Sequence, residues 1–183
     1  EPRPQRTIMS VNMENRDENS IKYDAFISYR HCELDQYVAV TLQKKLENFK
    51  LPKSALPKVN GEKTKITRVF RDEDELMLSD NLSEPIDYAL ANSEFLIVVC
   101  SPRLSLSKWC LREIETFLKA HDRKHILLVL AEGEPSESFP EILCYEDVEI
   151  TDENGNSYIK RSDLEPLAAD VRGTSNKEIN RAI

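Results

Sequence analysis

The chain has only four glycines in 183 residues, and that scarcity closes two routes to a nucleotide. Neither GxGxxG nor GxxxxGK[ST] occurs, so there is no Rossmann fingerprint and no P-loop. Any nucleotide must be held another way. Positive charge is also short: 25 Lys and Arg against 33 Asp and Glu leave a formal net charge of −8. That balance argues against nucleic acid as a partner, because a phosphate backbone is met by a basic face. No apolar run approaches the ~18 residues of a membrane span, and the opening residues are too polar for a signal peptide. The chain is therefore expected to be cytoplasmic, with no membrane partner. The four cysteines, Cys32, Cys100, Cys110 and Cys144, show no CxxC pairing and lie in or beside apolar segments. They read as reduced thiols, with no zinc and no disulfide. Repeats and low-complexity tracts are absent as well.

What is present suits one domain. Hydrophobic residues make up 40% and charged residues 32% of the chain, the balance of a soluble protein large enough to bury a core. Residues 1–20 are polar and aperiodic and are expected to be a disordered leader or a remnant of expression. Residues 21–172 are expected to form the domain, with a hairpin extension at its carboxyl end. Residues 173–183 read as the start of a truncated helix or linker, which implies a longer native chain.

Within the domain, "YDAFISY" (23–29) predicts a strand. Leu34, Val38, Leu42, Leu46 and Phe49 then form a helical stripe. A loop over 51–65 leads to a second strand, "ITRVF" (66–70). Asn81, three residues before Glu84, signals the cap of a helix bearing Leu82, Ile86, Ala89 and Leu90. "EFLIVVC" (94–100) has the continuous apolar pattern of a parallel strand covered on both faces. Ser107 caps a helix with Cys110, Ile114, Phe117 and Leu118 on one side, and "HILLVLA" (125–131) gives a fourth strand. This alternation predicts an α/β fold, a flavodoxin-like parallel sheet with helices on both faces. Beyond Glu132, two β-like runs flank "DENGN" as a hairpin. That region, "EPLAADVRG" included, is expected to depart from the plain fold and to supply no catalytic residue.

In such a sheet ligands settle beyond the carboxyl ends of the strands, where strand order reverses. "SYRH" (28–31), "RDED" (71–74), "CSP" (100–102) and the helix with Trp109 and Glu113 should all converge there. Trp109 is the only tryptophan and stands four residues before Glu113, so the two share a helix face. By spacing alone, Glu113 is either a solvated carboxylate or a catalytic one. Arg30 and His31 suit phosphate oxygens, and so does Arg71 beside Asp72; the indole suits a flat, electron-poor ring. A carboxylate beside that ring would engage a ribose hydroxyl and stabilise an oxocarbenium-like transition state. The set would bind a nucleotide and cleave its glycosidic bond.

The motifs also resemble those of a known family. "YDAFISYRH", "RVFRDEDEL" and "SEFLIVVCSP" followed by "SKWCLREI" are similar, in order, to signatures of the TIR (Toll/interleukin receptor and resistance) domain, over residues 23–130 and in its bacterial form. The resemblance implies that Glu113 is the catalytic glutamate of NAD-cleaving members. It implies that Trp109, Tyr29, Arg30, His31 and Asp72 bind the substrate. NAD+ would be substrate, with no separate cofactor and no metal, and the products would be nicotinamide with linear or cyclic ADP-ribose. TIR–TIR self-association would complete the site, in a role in bacterial defence or signalling. The Pro-Gly pair of receptor and adaptor members is replaced by "ELMLSDNLSEP", so partner contacts of animal signalling members are not carried over. The rival reading is a non-catalytic TIR–TIR interaction module. A receiver-type domain is disfavoured because "SYRH" stands where an acidic pair would end the first strand.

Overall fold

A computed structural model of the protein describes residues 22–50, 66, 68–71, 83–151, 155–173 and 175–183. Five strands form one sheet: β1 (Tyr23–Ser28), β2 (Val69–Arg71), β3 (Ser93–Cys100), β4 (Ile126–Leu130) and, much later, β7 (Ala168–Asp170). Their order is β2-β1-β3-β4-β7, and every pairing is parallel. The expected flavodoxin-like sheet is the observed one.

Parallel strands need crossover helices, and those helices cover both faces. Alternate residues of each strand therefore enter different cores. Phe26, Leu96, Val98, Cys100, Leu128 and Leu130 pack beneath helices α2 (Ser83–Ala91) and α3 (Lys108–Ala120). Ala25, Ile27, Ile97, Val99 and Val129 pack beneath α1 (Glu33–Asn48) and α6 (Asn176–Ala182). This two-sided burial is why "EFLIVVC" shows no polar alternation.

The helices follow their caps. The Ser107 hydroxyl accepts a bond of 3.3 Å from the Cys110 amide and starts α3, which turns Cys110, Ile114 and Phe117 inward. In α1 the buried residues are Asp35, Val38, Ala39 and Thr41, while Leu34, Leu42 and Leu46 pack at the margin. Phe49, read as part of the stripe, lies past the helix end and is half exposed. The second strand begins later than expected, at Val69. Asn81, Leu82 and Asp72 lie outside the described residues.

Beyond β4 come two short helices, α4 (Pro135–Ser138) and α5 (Glu141–Cys144). The expected hairpin follows: β5 (Tyr145–Thr151) pairs antiparallel with β6 (Ser157–Asp163) as a separate two-stranded sheet. "EPLAADVRG" corrects the sequence reading. Ala168–Asp170 within it is the fifth strand, aligned on Leu128–Leu130 of β4. Three residues, two of them alanine, carry little strand propensity, so the pairing with β4 sets their conformation. Helix α6 then packs on α1, with Ile179 buried and the Tyr37 hydroxyl donating to the Asn176 carbonyl at 2.9 Å.

Candidate active site

The carboxyl ends of β1 and β3 lie side by side, and strand order reverses between them. Ser28 is the last residue of β1 and faces the α2–α3 side. Its hydroxyl donates a 2.5 Å hydrogen bond to Glu113 Oε2. Glu113 is only 4% exposed. It is therefore no solvated surface group, although three of its helix neighbours, Trp109, Arg112 and Glu115, are exposed.

Trp109 sits one helical turn before Glu113, and 56% of its surface is exposed. The Arg112 guanidinium lies over its ring, 5.7 Å from the centroid, and also pairs with Asp87 at 3.0 Å. Ile86, Asp87, Trp109, Arg112 and Glu113 line a narrow crevice of about 10 Å³. A buried carboxylate beside an open aromatic plane can hold a sugar hydroxyl while the plane covers an adjoining ring.

Tyr29, Arg71 and His31 group on the other face of the sheet. Tyr29 is 2% exposed and belongs to the core under α1. Its hydroxyl accepts from Arg71 Nη1 at 3.0 Å, and Arg71 Nε reaches Gln43 at 3.1 Å. The His31 ring stacks on Tyr29 at 5.1 Å and is solvent-exposed, with Arg30 half-buried beside it. Tyr29 and Arg71 are thus buried together, whereas His31 is exposed and Arg30 half-buried. The rim brings Ser28, Trp109 and Glu113 together on one side and Tyr29, His31 and Arg71 on the other.

Sequence reasoning missed three polar residues here: Ser28, Asp35 and Ser101. Asp35 is fully buried and accepts a 2.8 Å bond from the Ser101 hydroxyl, while its Oδ1 has no hydrogen-bond partner. Burial holds its carboxyl above the usual carboxylate range, opposed in part by the Ser101 bond. Its spacing to Val38 and Ala39 was the available signal, since it places a carboxylate on the apolar stripe. Ser28 and Ser101, short polar residues at strand ends, carried none. Burial also raises the thiols of Cys32, Cys100 and Cys144, so none of these three is poised as a nucleophile. Among the described residues, no group of three or more His, Cys, Asp or Glu side chains could hold a metal ion.

Comparison with known proteins adds a family. The model of the TIR domain matches residues 62–163, more than half of the chain. A curated relative from Actinoplanes sp., named NAD(+) hydrolase ApTIR, is 33% identical over 114 residues, covering 62% of this chain and 15% of that protein. A second, from a Theionarchaea archaeon and named NAD(+) hydrolase TcpA, is 30% identical over 166 residues, covering 88% of this chain and 45% of the relative. The chain thus spans less than half the length of either. Among solved structures, the TIR domains of the activated Roq1 resistosome match at 25% identity and a TM-score of 0.40, over 62% of this chain and 60% of that one.

Proposed function

The chain belongs to the TIR domain family, and from that premise we propose that it cleaves the nicotinamide–ribose bond of NAD+. The observation that carries this reading is the buried Glu113 carboxylate, held by Ser28 and lining a crevice with the exposed Trp109. That both curated relatives are named NAD(+) hydrolases supports it.

In the proposed reaction the bond between ribose C1′ and the pyridinium nitrogen breaks, and its electron pair neutralises the departing nicotinamide. The leaving group already carries the positive charge, so the step needs no separate cofactor. Positive charge develops on the ribose, and Glu113 stabilises it through the sugar hydroxyls. Water then adds at C1′ and releases a proton, giving ADP-ribose; capture by the adenine ring instead would give the cyclic product. Trp109 covers the nicotinamide, while Arg30, His31 and Asp72 orient ribose and phosphates over the buried pair Tyr29 and Arg71. We place the reaction in the cytoplasm and in defence or signalling. No described helix is long and apolar enough to cross a membrane.

Self-association of TIR units belongs to the same proposal. Leu106, 79% exposed, leaves apolar surface open just before α3, and a second copy would cover it. The same patch is what favours the rival reading of a purely interacting module. The test is nicotinamide release from NAD+ by the domain, dilute and clustered on a surface, beside Glu113→Ala. Release that rises on clustering and vanishes in the variant is expected. A clustered wild type that releases none would leave the interaction module as the better reading.

A further inference from the structure

Asp35 makes poor sense as part of a core. A carboxyl group seldom lies fully buried unless it is well paired. Here one oxygen accepts from Ser101, and the other has no partner at ordinary hydrogen-bond geometry, the neighbouring Cys32 thiol being a weak donor that helps only in part to hold the carboxyl down. Leaving an acceptor unmet costs stability that an apolar side chain of similar size would not lose. Helix capping does not require this arrangement. The exposed Glu33 already places negative charge in the first turn of α1, where it suits the helix dipole.

The location gives Asp35 another purpose. It stands in the first turn of α1, just past the loop 29–32 that carries Tyr29, Arg30 and His31 out of β1. Ser101 is the first residue after β3, 1% exposed and 66 positions from Asp35 in the chain. While the Ser101 hydroxyl is bonded to Asp35, its carbonyl accepts from the Leu104 amide at 2.9 Å and opens the 3-10 turn Leu104–Leu106. The Leu104 carbonyl in turn accepts from the amide of Ser107, the cap of α3. One carboxyl group thus ties the first turn of α1, just past the β1–α1 loop, to the segment that launches Trp109 and Glu113. The groups facing it are Arg30 and Cys32 from its own loop, Cys100 and Ser101 from the end of β3, and Glu132 from beyond β4.

We propose that Asp35 is a positioning residue: through the Ser101 hydroxyl it clasps the first turn of α1, just past the β1–α1 loop, to the start of α3 and so sets Arg30 and His31 in register with Trp109 and Glu113. The inference rests on the NAD+-cleaving reading of this rim. Misregister by a fraction of an ångström between a bound substrate and its catalytic group is enough to depress turnover while leaving binding largely intact.

The test uses the whole chain, clustered as above, with Asp35→Ala, Ser101→Ala, the double variant and Asp35→Asn. Nicotinamide release is read as kcat and KM, and amide hydrogen exchange is followed over residues 30–36 and 101–107. Each alanine variant should lower kcat about tenfold or more with a smaller change in KM. The double variant should be no worse than the weaker single, because both remove one clasp. Asp35→Asn keeps an acceptor for Ser101 and should stay within about threefold of wild type. Exchange should quicken in both segments of each alanine variant. Folded alanine variants with wild-type kcat, additive losses, or Asn behaving as Ala would overturn the clasp. Should Asp35→Ala fail to fold, Ser101→Ala and Asp35→Asn decide. If the wild type releases no nicotinamide, the NAD+ reading fails by itself and exchange alone judges the clasp: quickening in both segments supports it, and in one or neither refutes it.

Discussion

At the scale of single residues, two buried carboxyl groups mark the rim, and they differ in what faces them. Glu113 has Ser28 on one oxygen and lines a crevice, whereas Asp35 is enclosed. Burial raises the Asp35 carboxyl above its ordinary value, and this fixes the sign of a pH effect. A raised folded-state value contributes stability that is present below the unfolded value of about 3.9 and is lost as pH climbs through the folded one. Asp35→Asn should therefore exceed the wild type in stability at pH 7, and the gain should shrink as pH falls towards 4, measured as denaturant midpoints. A gain independent of pH would show that ionisation of Asp35 is not its source. Trp109, by contrast, is largely exposed, so Trp109→Ala should leave the melting temperature within a few degrees while raising KM for NAD+ about tenfold. A lower melting temperature with unchanged KM would make it a packing residue.

At the scale of elements, legibility followed period and caps. "EFLIVVC" and "SKWCLREIETFL" announce themselves, because a run buried on both faces and a capped stripe are local patterns. Ser107→Ala should cost about 1 kcal/mol of unfolding free energy by removing its side-chain bond at the start of α3; a change under about 0.3 kcal/mol would mean the cap is dispensable. Ala168–Asp170 could not be read, since its strand character comes from β4 and from nothing in "AAD". In α1 the stripe packs as its period predicts, but its centre is shifted. Leu34 and Leu42 share a stripe with Val38, but the sheet meets the helix along Asp35, Val38 and Ala39, and a charged residue at the centre of an apolar face runs against pattern reading. The site was legible in part: its segments converge as strand order requires, yet the division of Tyr29 and Ser28 between opposite faces follows from strand alternation and is visible only once register is fixed.

At the scale of the whole molecule, two features are separable. The parallel sheet with its helices holds both cores and the rim. The β5–β6 hairpin pairs only with itself as a sheet, and most of its residues are exposed. Its base is closed by the Leu164 amide donating to the Cys144 carbonyl at 2.7 Å, so the chain ends at its root are already adjacent. Replacing residues 145–163 by a short Gly-Ser bridge should leave a cooperative unfolding transition and the proposed nicotinamide release in place. Loss of cooperative folding would show that the hairpin supports the sheet after all.

The central claim is that the Glu113 carboxylate is buried for chemistry, and its most direct test is Glu113→Gln, which keeps the shape and an acceptor for Ser28 while removing the charge. Nicotinamide release from NAD+ and thermal unfolding would be measured on the same clustered preparation. The account predicts a folded protein, melting no lower than wild type by more than a few degrees, with release reduced at least about a hundredfold. A folded Gln variant that releases nicotinamide at the wild-type rate would contradict it.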